Sequence, residues 1–225
     1  PKKPLIGNPK VTGEIVDATS TTVKAKFAAN ADAKGYAVCI FVEGKAKEQF
    51  EQFGPMMGLS NMGDMIKQWG VKCTGEYTHE WTGLQPDTKY EIYVQAWDAA
   101  ETYADMLVIP VTTKKLGGTG VAKVSIEIKE FAKSGDSYYQ RVIYTPNSEC
   151  SVHRDIIIEK NAYDKPEMGE EGVKNLLKED REQDPYWNQY GVDNATWNAT
   201  PSTTYYACSL AKNANDEWGP LEKVE

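Results

Sequence analysis

Histidine is scarce in this chain, with two in 225 residues, and cysteine is little commoner, with four. His79 and His153 fall in different halves, each in a stretch that reads as a strand. A zinc centre or a histidine-based catalytic pair needs partners close by, so surface or strand-edge histidines are expected at both places. No Cys-x-x-Cys spacing occurs; Cys39 and Cys73 lie in the first half, Cys150 and Cys208 in the second. The two pairs do not align as a repeat. Free buried thiols are the leading reading, with one disulfide per half as the alternative. Basic residues are outnumbered, 25 Lys and Arg against 33 Asp and Glu, for a net charge of −8. Nucleic acid is therefore not an expected partner, because phosphates need a basic face. No apolar run is long enough to span a bilayer. Phosphate-binding glycine loops, Gly-x-Ser-x-Gly, His-Glu-x-x-His and the calcium-binding loop are all missing. Nothing positive then argues for an enzyme, a metal or a cofactor, and none is expected. No secretory leader is visible, but the chain opens at Pro1, so a trimmed N-terminus is expected and the lack of a leader is uninformative.

What is present is organised around Trp81–Trp97, WTGLQPDTKYEIYVQAW. Pro86 fixes φ, and Asp87 and Thr88 bond their own backbone, so Gln85–Thr88 reads as a tight corner. Beyond it Tyr90, Ile92, Val94 and Ala96 alternate with Glu91, Tyr93, Gln95 and Trp97, the period of a half-buried strand. A related stretch, WNATPSTTYYACSLA, occupies Trp197–Ala211. There Trp197, Pro201, Thr203, Tyr205 and Ala211 repeat Trp81, Pro86, Thr88, Tyr90 and Ala96, with Ala199 or Thr200 in the place of Leu84. Upstream, Gln68-Trp69-Gly70-Val71 is matched to Gln189-Tyr190-Gly191-Val192. Two blocks in the same order predict a duplicated module.

A corner followed by a tyrosine that opens a strand resembles the tyrosine corner of immunoglobulin-like sandwiches. Leu84, Pro86, Thr88 and Tyr90 fill the Leu-x-Pro-x-Thr-x-Tyr pattern of the fibronectin type III family. The resemblance implies an all-β fold of two tandem fibronectin type III-like sandwiches, covering 1–114 and 115–225. Strands A and B are expected at Val11–Ala18 and Thr21–Phe27, strand C at Tyr36–Val42, E near Gly75–Trp81, F at Tyr90–Trp97 and G at Ala104–Thr112. A helical insert over 45–70 is expected between C and E. In it Lys45–Phe53 is stopped by Gly54-Pro55, and Ser60 caps a second helix whose stripe is Met62, Met65, Ile66 and Trp69. KKLGGTG, 114–120, reads as a hinge. The second copy repeats the plan, with an insert over 161–190. There Val173, Leu176 and Leu177 mark one helical face and Asp184-Pro185 ends the helix. Cys150 is placed near strand C and Cys208 on strand F, which neighbour each other in such a sandwich.

Candidate sites are few. The carboxylates between Glu167 and Asp184 read as a solvated helix face, and Asn213–Asp216 as a turn. Met56 and Met57 lie outside the helical stripe and are candidates for contact with a protein partner. Tyr186, Trp187 and Tyr190 stand among amides, a pattern able to stack on and hydrogen-bond a glycan. The bland alternative is that these rings seat the insert on its sheet. Asn194-Ala195-Thr196 and Asn198-Ala199-Thr200 match the glycosylation acceptor pattern. The inserts, repeats and acidic surface resemble uncharacterised surface lipoproteins of gut Bacteroidetes. That resemblance implies a non-enzymatic, extracytoplasmic protein for adhesion or spacing, anchored at the cell surface through the trimmed N-terminus, with a protein or glycan partner. A carbohydrate-binding protein using the second insert, or accessory domains of a hydrolase, are the alternatives.

Overall fold

Alternation of apolar and polar residues sets the strands. In the first unit, β1 (Val11–Ala18), β2 (Val23–Ala29) and β5 (Glu76–Trp81) form one antiparallel sheet in the order β1-β2-β5. The facing sheet contains β3 (Gly35–Val42), β4 (Val71–Cys73), β6 (Lys89–Trp97) and β7 (Leu107–Thr112), in the order β4-β3-β6-β7. Phe27, Tyr36, Val38, Ile92 and Val94 fill the space between the sheets. A computed structural model provides these coordinates and describes residues 2–225. It divides the chain into two units, Pro1–Lys114 and Lys115–Glu225.

Strand β3 is apolar on both faces, so its outer face needs a cover. Helix α1 (Lys45–Phe53) and helix α2 (Met62–Trp69) supply it: Met65 and Ile66 are fully buried against Ala37, Phe41 and Trp97. Burying each such side chain is worth about 1.5–3 kcal/mol. Helix α1 ends where the Gly54 N–H donates to Phe50 O at 2.8 Å, and Pro55 follows. The cap of α2 is Asn61 rather than Ser60: its side chain accepts from Asp64 N at 2.9 Å. The helices lie between β3 and β4, so the chain returns to the edge of β3 before it crosses to β5.

The second unit has β8 (Val124–Ser134), β9 (Ser137–Pro146) and β11 (Asp193–Asn198) in the order β11-β9-β8. Opposite lie β10 (Val152–Glu159), β12 (Tyr205–Lys212) and β13 (Glu222–Val224), in the order β10-β12-β13. Helix α3 (Lys160–Tyr163) and helix α4 (Gly169–Lys178) follow β10. Val173 and Leu177 of α4 are fully buried with Cys208 and Leu210 of β12. The helix stops at Lys178, well before Asp184-Pro185, so that pair does not end it.

Both corners close in the same way. Tyr90 Oη accepts from Gln85 N and Tyr205 Oη from Thr200 N, each at 2.8 Å. Thr88 Oγ1 donates to Pro86 O, and Thr203 Oγ1 to Pro201 O. Asp87 and Ser202, each three residues before its tyrosine, have φ of 46° and 55°. Counting back from the tyrosines puts Ala199, not Thr200, in the place of Leu84. The other matched block does not hold. Tyr36 pairs with Ala96 and His153 with Ala211, so His153 occupies the place of Tyr36. Their outer neighbours are Cys73 and Gln189. Gln189 therefore stands where Cys73 does, and the likeness of 68–71 to 189–192 is local similarity out of register.

The glycines of 117–120 are closely packed within the second unit. A Cβ on Gly117 would stand 2.6 Å from Glu149 O, and one on Gly118 2.1 Å from Glu149 Oε2. Gly120 N donates to Glu149 Oε2, and Asn213 Nδ2 donates to the carbonyls of Thr119 and Gly120. All four cysteines are free thiols. Burial pushes Cys39 and Cys73 up to about 11, and Cys150 and Cys208 up to about 12.

Candidate functional site: a polar cluster inside the second sandwich

The inward residues of β3 are Tyr36, Val38 and Ile40; those of β10 are His153, Asp155 and Ile157. Ser209 faces Asp155 from β12, where β6 carries Val94. Three polar side chains thus occupy interior positions that are Tyr or Val in the first unit. His153, Asp155 and Ser209 are 0%, 6% and 0% exposed. His153 is therefore an interior residue, contrary to the expectation of a surface or edge histidine.

These groups satisfy one another. Ser209 Oγ donates to Asp155 Oδ1 at 2.6 Å, and His153 Nδ1 lies 2.9 Å from the same oxygen. His153 Nε2 is 2.6 Å from Gly191 O. Burial alone would lower the imidazole, but the hydrogen bond and charge of Asp155 and the Gly191 carbonyl raise it. Asp193, at the start of β11, has its carboxyl pushed up to about 7 by burial, then by the hydrogen bond to and charge of Asp155. Asp155 Oδ2 is buried and, among the described residues, meets no other donor. A proton held on Asp193 supplies the one it lacks. The order Ser–Asp–His puts the carboxylate between the hydroxyl and the imidazole. The serine hydroxyl faces the carboxylate and not the imidazole, which is engaged at both nitrogens, so the order differs from a Ser–His–Asp triad.

A cavity of about 230 Å³ opens beside this cluster, lined by Asp155, Asp193, Gln189, Thr196, Tyr186 and Trp197. On the outer face of β10, Arg154 is 4% exposed. Its guanidinium donates to Asn188 Oδ1 at 3.0 Å, Leu177 O at 3.0 Å, Glu179 O at 2.7 Å and Asp180 Oδ1 at 3.2 Å. The rings of Trp187 and Trp218 lie 5.7 and 5.5 Å from it. Arg154 therefore ties the segment after α4 to the sheet.

The three aromatics singled out from sequence do not share a surface. Tyr186 is 81% exposed and lines the cavity. Trp187 is buried, with Nε1 donating to Glu179 O at 2.7 Å and the Arg181 guanidinium 3.9 Å from its ring. It packs with Tyr206, Leu210 and Leu177 and seats the segment on the sheet. Tyr190 is half-buried. Met56 and Met57 form a short 3-10 turn after α1, 82% and 47% exposed. His79 lies against Tyr77 and Trp81 on β5, and burial lowers its pKa. The residues missed in the sequence are Arg154, Asp155, Asp193 and Ser209. Their signal is His-Arg-Asp inside an apolar strand whose counterpart reads Tyr-Ala-Val.

A larger groove of about 400 Å³ lies between β8 and β12, lined by Ile128, Phe131, Val142, Ile157 and Ala207. It opens where β13 pairs only with Ala207–Ser209, whereas β7 covers β6 from Val94 to Lys89. Gln140, Ser202, Thr203, Tyr205 and Glu225 also line it.

The strand orders and the two corners carry the fold assignment: a pair of fibronectin type III-like β-sandwiches. The chain is similar to a two-domain fibronectin type III segment from chicken tenascin, at 13% identity over 96% of this chain and 97% of that one, with a TM-score of 0.33. At that TM-score the likeness adds nothing to the assignment. No protein-family model and no curated protein matches the sequence.

Proposed function

We propose that this chain is a non-enzymatic binding or adhesion protein, or a spacer, acting outside the cytoplasm at the cell surface. By fold-level analogy, two β-sandwiches of this type suit binding and presentation. The observation that carries the reading is the apolar turn at Met56 and Met57, beside Phe53, which is 38% exposed. Adaptable thioethers held out on a short rigid turn suit a protein partner. The reading is tested by screening the intact chain against an array of purified secreted proteins, beside a Met56→Glu/Met57→Glu variant. Binding lost in the variant supports it. Binding that survives unchanged removes the turn from the reading, and turnover of generic ester, glycoside or peptide substrates would replace it with an enzyme. A second reading, glycan binding through the second unit, is favoured by the exposed Tyr186 ring at the mouth of the Asp155 cavity.

A further inference from the structure

We propose that the groove between β8 and β12 receives an extended segment of a partner protein, added as a strand beside Tyr205 and carrying an apolar residue followed two positions later by a threonine. The proposal rests on the reading of the chain as a binding protein. It adds a second surface, on the second unit, independent of the turn at Met56 and Met57.

The first unit contains the template. There β7 runs on past Ile109, and Val111 pairs with Tyr90 and packs against the core. Thr113 N donates to Thr88 O at 3.0 Å. Thr113 Oγ1 accepts from Thr88 N at 3.0 Å and donates to Gln85 O at 2.6 Å. Asp87 N donates to Lys114 O at 3.2 Å. In the second unit the matching corner is Thr200, Ser202, Thr203 and Tyr205, closed by the same tyrosine bond. Here β13 pairs only with Ala207–Ser209. Among the described residues nothing takes the places of Val111, Thr113 and Lys114, so the main-chain groups of this corner stay open to a partner. The edge of β12 adds two more. Thr204 O accepts from Lys160 N on the β10 side, and Ala211 O from Gly219 N on the other. Residues of an antiparallel strand alternate between its two neighbours, so Tyr205 turns its N–H and C=O toward the groove.

The walls suit the apolar residue. Ile128, Phe131, Val142, Ile157 and Ala207 line a space of about 400 Å³, and Ile128 and Phe131 are 39% and 45% exposed. A side chain seated as Val111 is would take that apolar area out of water. Strand addition uses this pairing of features: main-chain hydrogen bonds hold the segment, and the seat for alternate side chains selects it. The threonine follows from the corner, because a hydroxyl at that position both accepts from the Thr203 N–H and donates to the Thr200 carbonyl.

The test is amide-resolved NMR titration of the intact chain with a synthetic peptide of the sequence of Val111–Leu116, VTTKKL. Saturable shifts at the amides of Ile128, Ser202, Thr203 and Tyr205 are expected, with the corner amides gaining protection from exchange. A probe carrying Thr113→Val should bind about two- to tenfold more weakly. In the chain, Ile128→Asp should weaken binding about tenfold or more; should that variant fail to fold, the two probes still decide. The Met56→Glu/Met57→Glu variant should bind the peptide like the parent. Shifts that map elsewhere, equal binding of the two probes, or Thr203 and Tyr205 amides already protected before peptide is added would each overturn the proposal. No shift with either probe overturns it too, and leaves the reading of the Met56 and Met57 turn to its own array.

Discussion

Replacing Arg154 by Ala should be among the most damaging single changes in the second unit. Its guanidinium donates to two main-chain carbonyls and the Asn188 amide oxygen, and hydrogen bonds of a charged group are worth about 1.5–3 kcal/mol each. Their sum overstates the loss, because water can enter the space left behind. Breaking a buried charged network costs about 3–5 kcal/mol, and that range is expected here. The ion pair with Asp180 is a small part of it. The Asp180 side chain is 90% exposed, and such pairs contribute about 0–1 kcal/mol. Asp180→Ala should therefore cost little. Arg154→Lys keeps the charge but loses the planar fork and the contact with Trp187 and Trp218, so most of the loss should remain. Hydrogen exchange read by mass spectrometry gives the two units separately. Protection of peptides from β10, β12 and α4 should fall in Arg154→Ala, while peptides from β3 and β6 serve as internal reference. A loss below about 1 kcal/mol, or an Asp180→Ala variant as unstable as Arg154→Ala, would refute the reasoning.

Two further predictions concern the corner and the carboxyl pair. Tyr90→Phe and Tyr205→Phe each remove one main-chain hydrogen bond and should cost about 0.5–1.5 kcal/mol in urea unfolding, with the larger loss at Tyr90, which is 6% exposed; equal stability in both variants would show that the corner bond is idle. The Asp193 carboxyl is raised from an ordinary 3.8 to about 7, so it is neutral at low pH in both folded and unfolded chains and costs stability as pH climbs from about 4 to about 7. His153, raised above 6.5, adds stability below that value that is lost as pH rises further. Asp193→Asn should flatten the wild-type decline between pH 4 and 7, measured as the difference between the two urea midpoints. A decline of the same slope in the variant would mean that Asp193 does not hold the proton.

The sequence by itself determined what depends on local pattern. Alternation marked β2 and β6 because a sheet with one buried face repeats every second residue. Pro, Thr and Tyr marked both corners because a turn and its hydroxyl lie within a few residues of each other. The stripe Met62, Met65, Ile66 and Trp69 marked α2 because helix spacing is local too. What the tertiary structure alone decided depends on which side of a sheet a residue faces and on what the facing strand carries there. Asp155 and Ser209 lie far apart in the chain and meet only because β10 and β12 pair in one register. Asp193 joins them from the opposite sheet. Trp187 and Tyr186 are sequence neighbours, yet one ring fills the core and the other stands in solvent, because Arg154, on the outer face of β10, gathers the segment after α4 around itself. Burial then turns ordinary carboxyls and an imidazole into a proton-sharing cluster, a property of the environment and not of the residues.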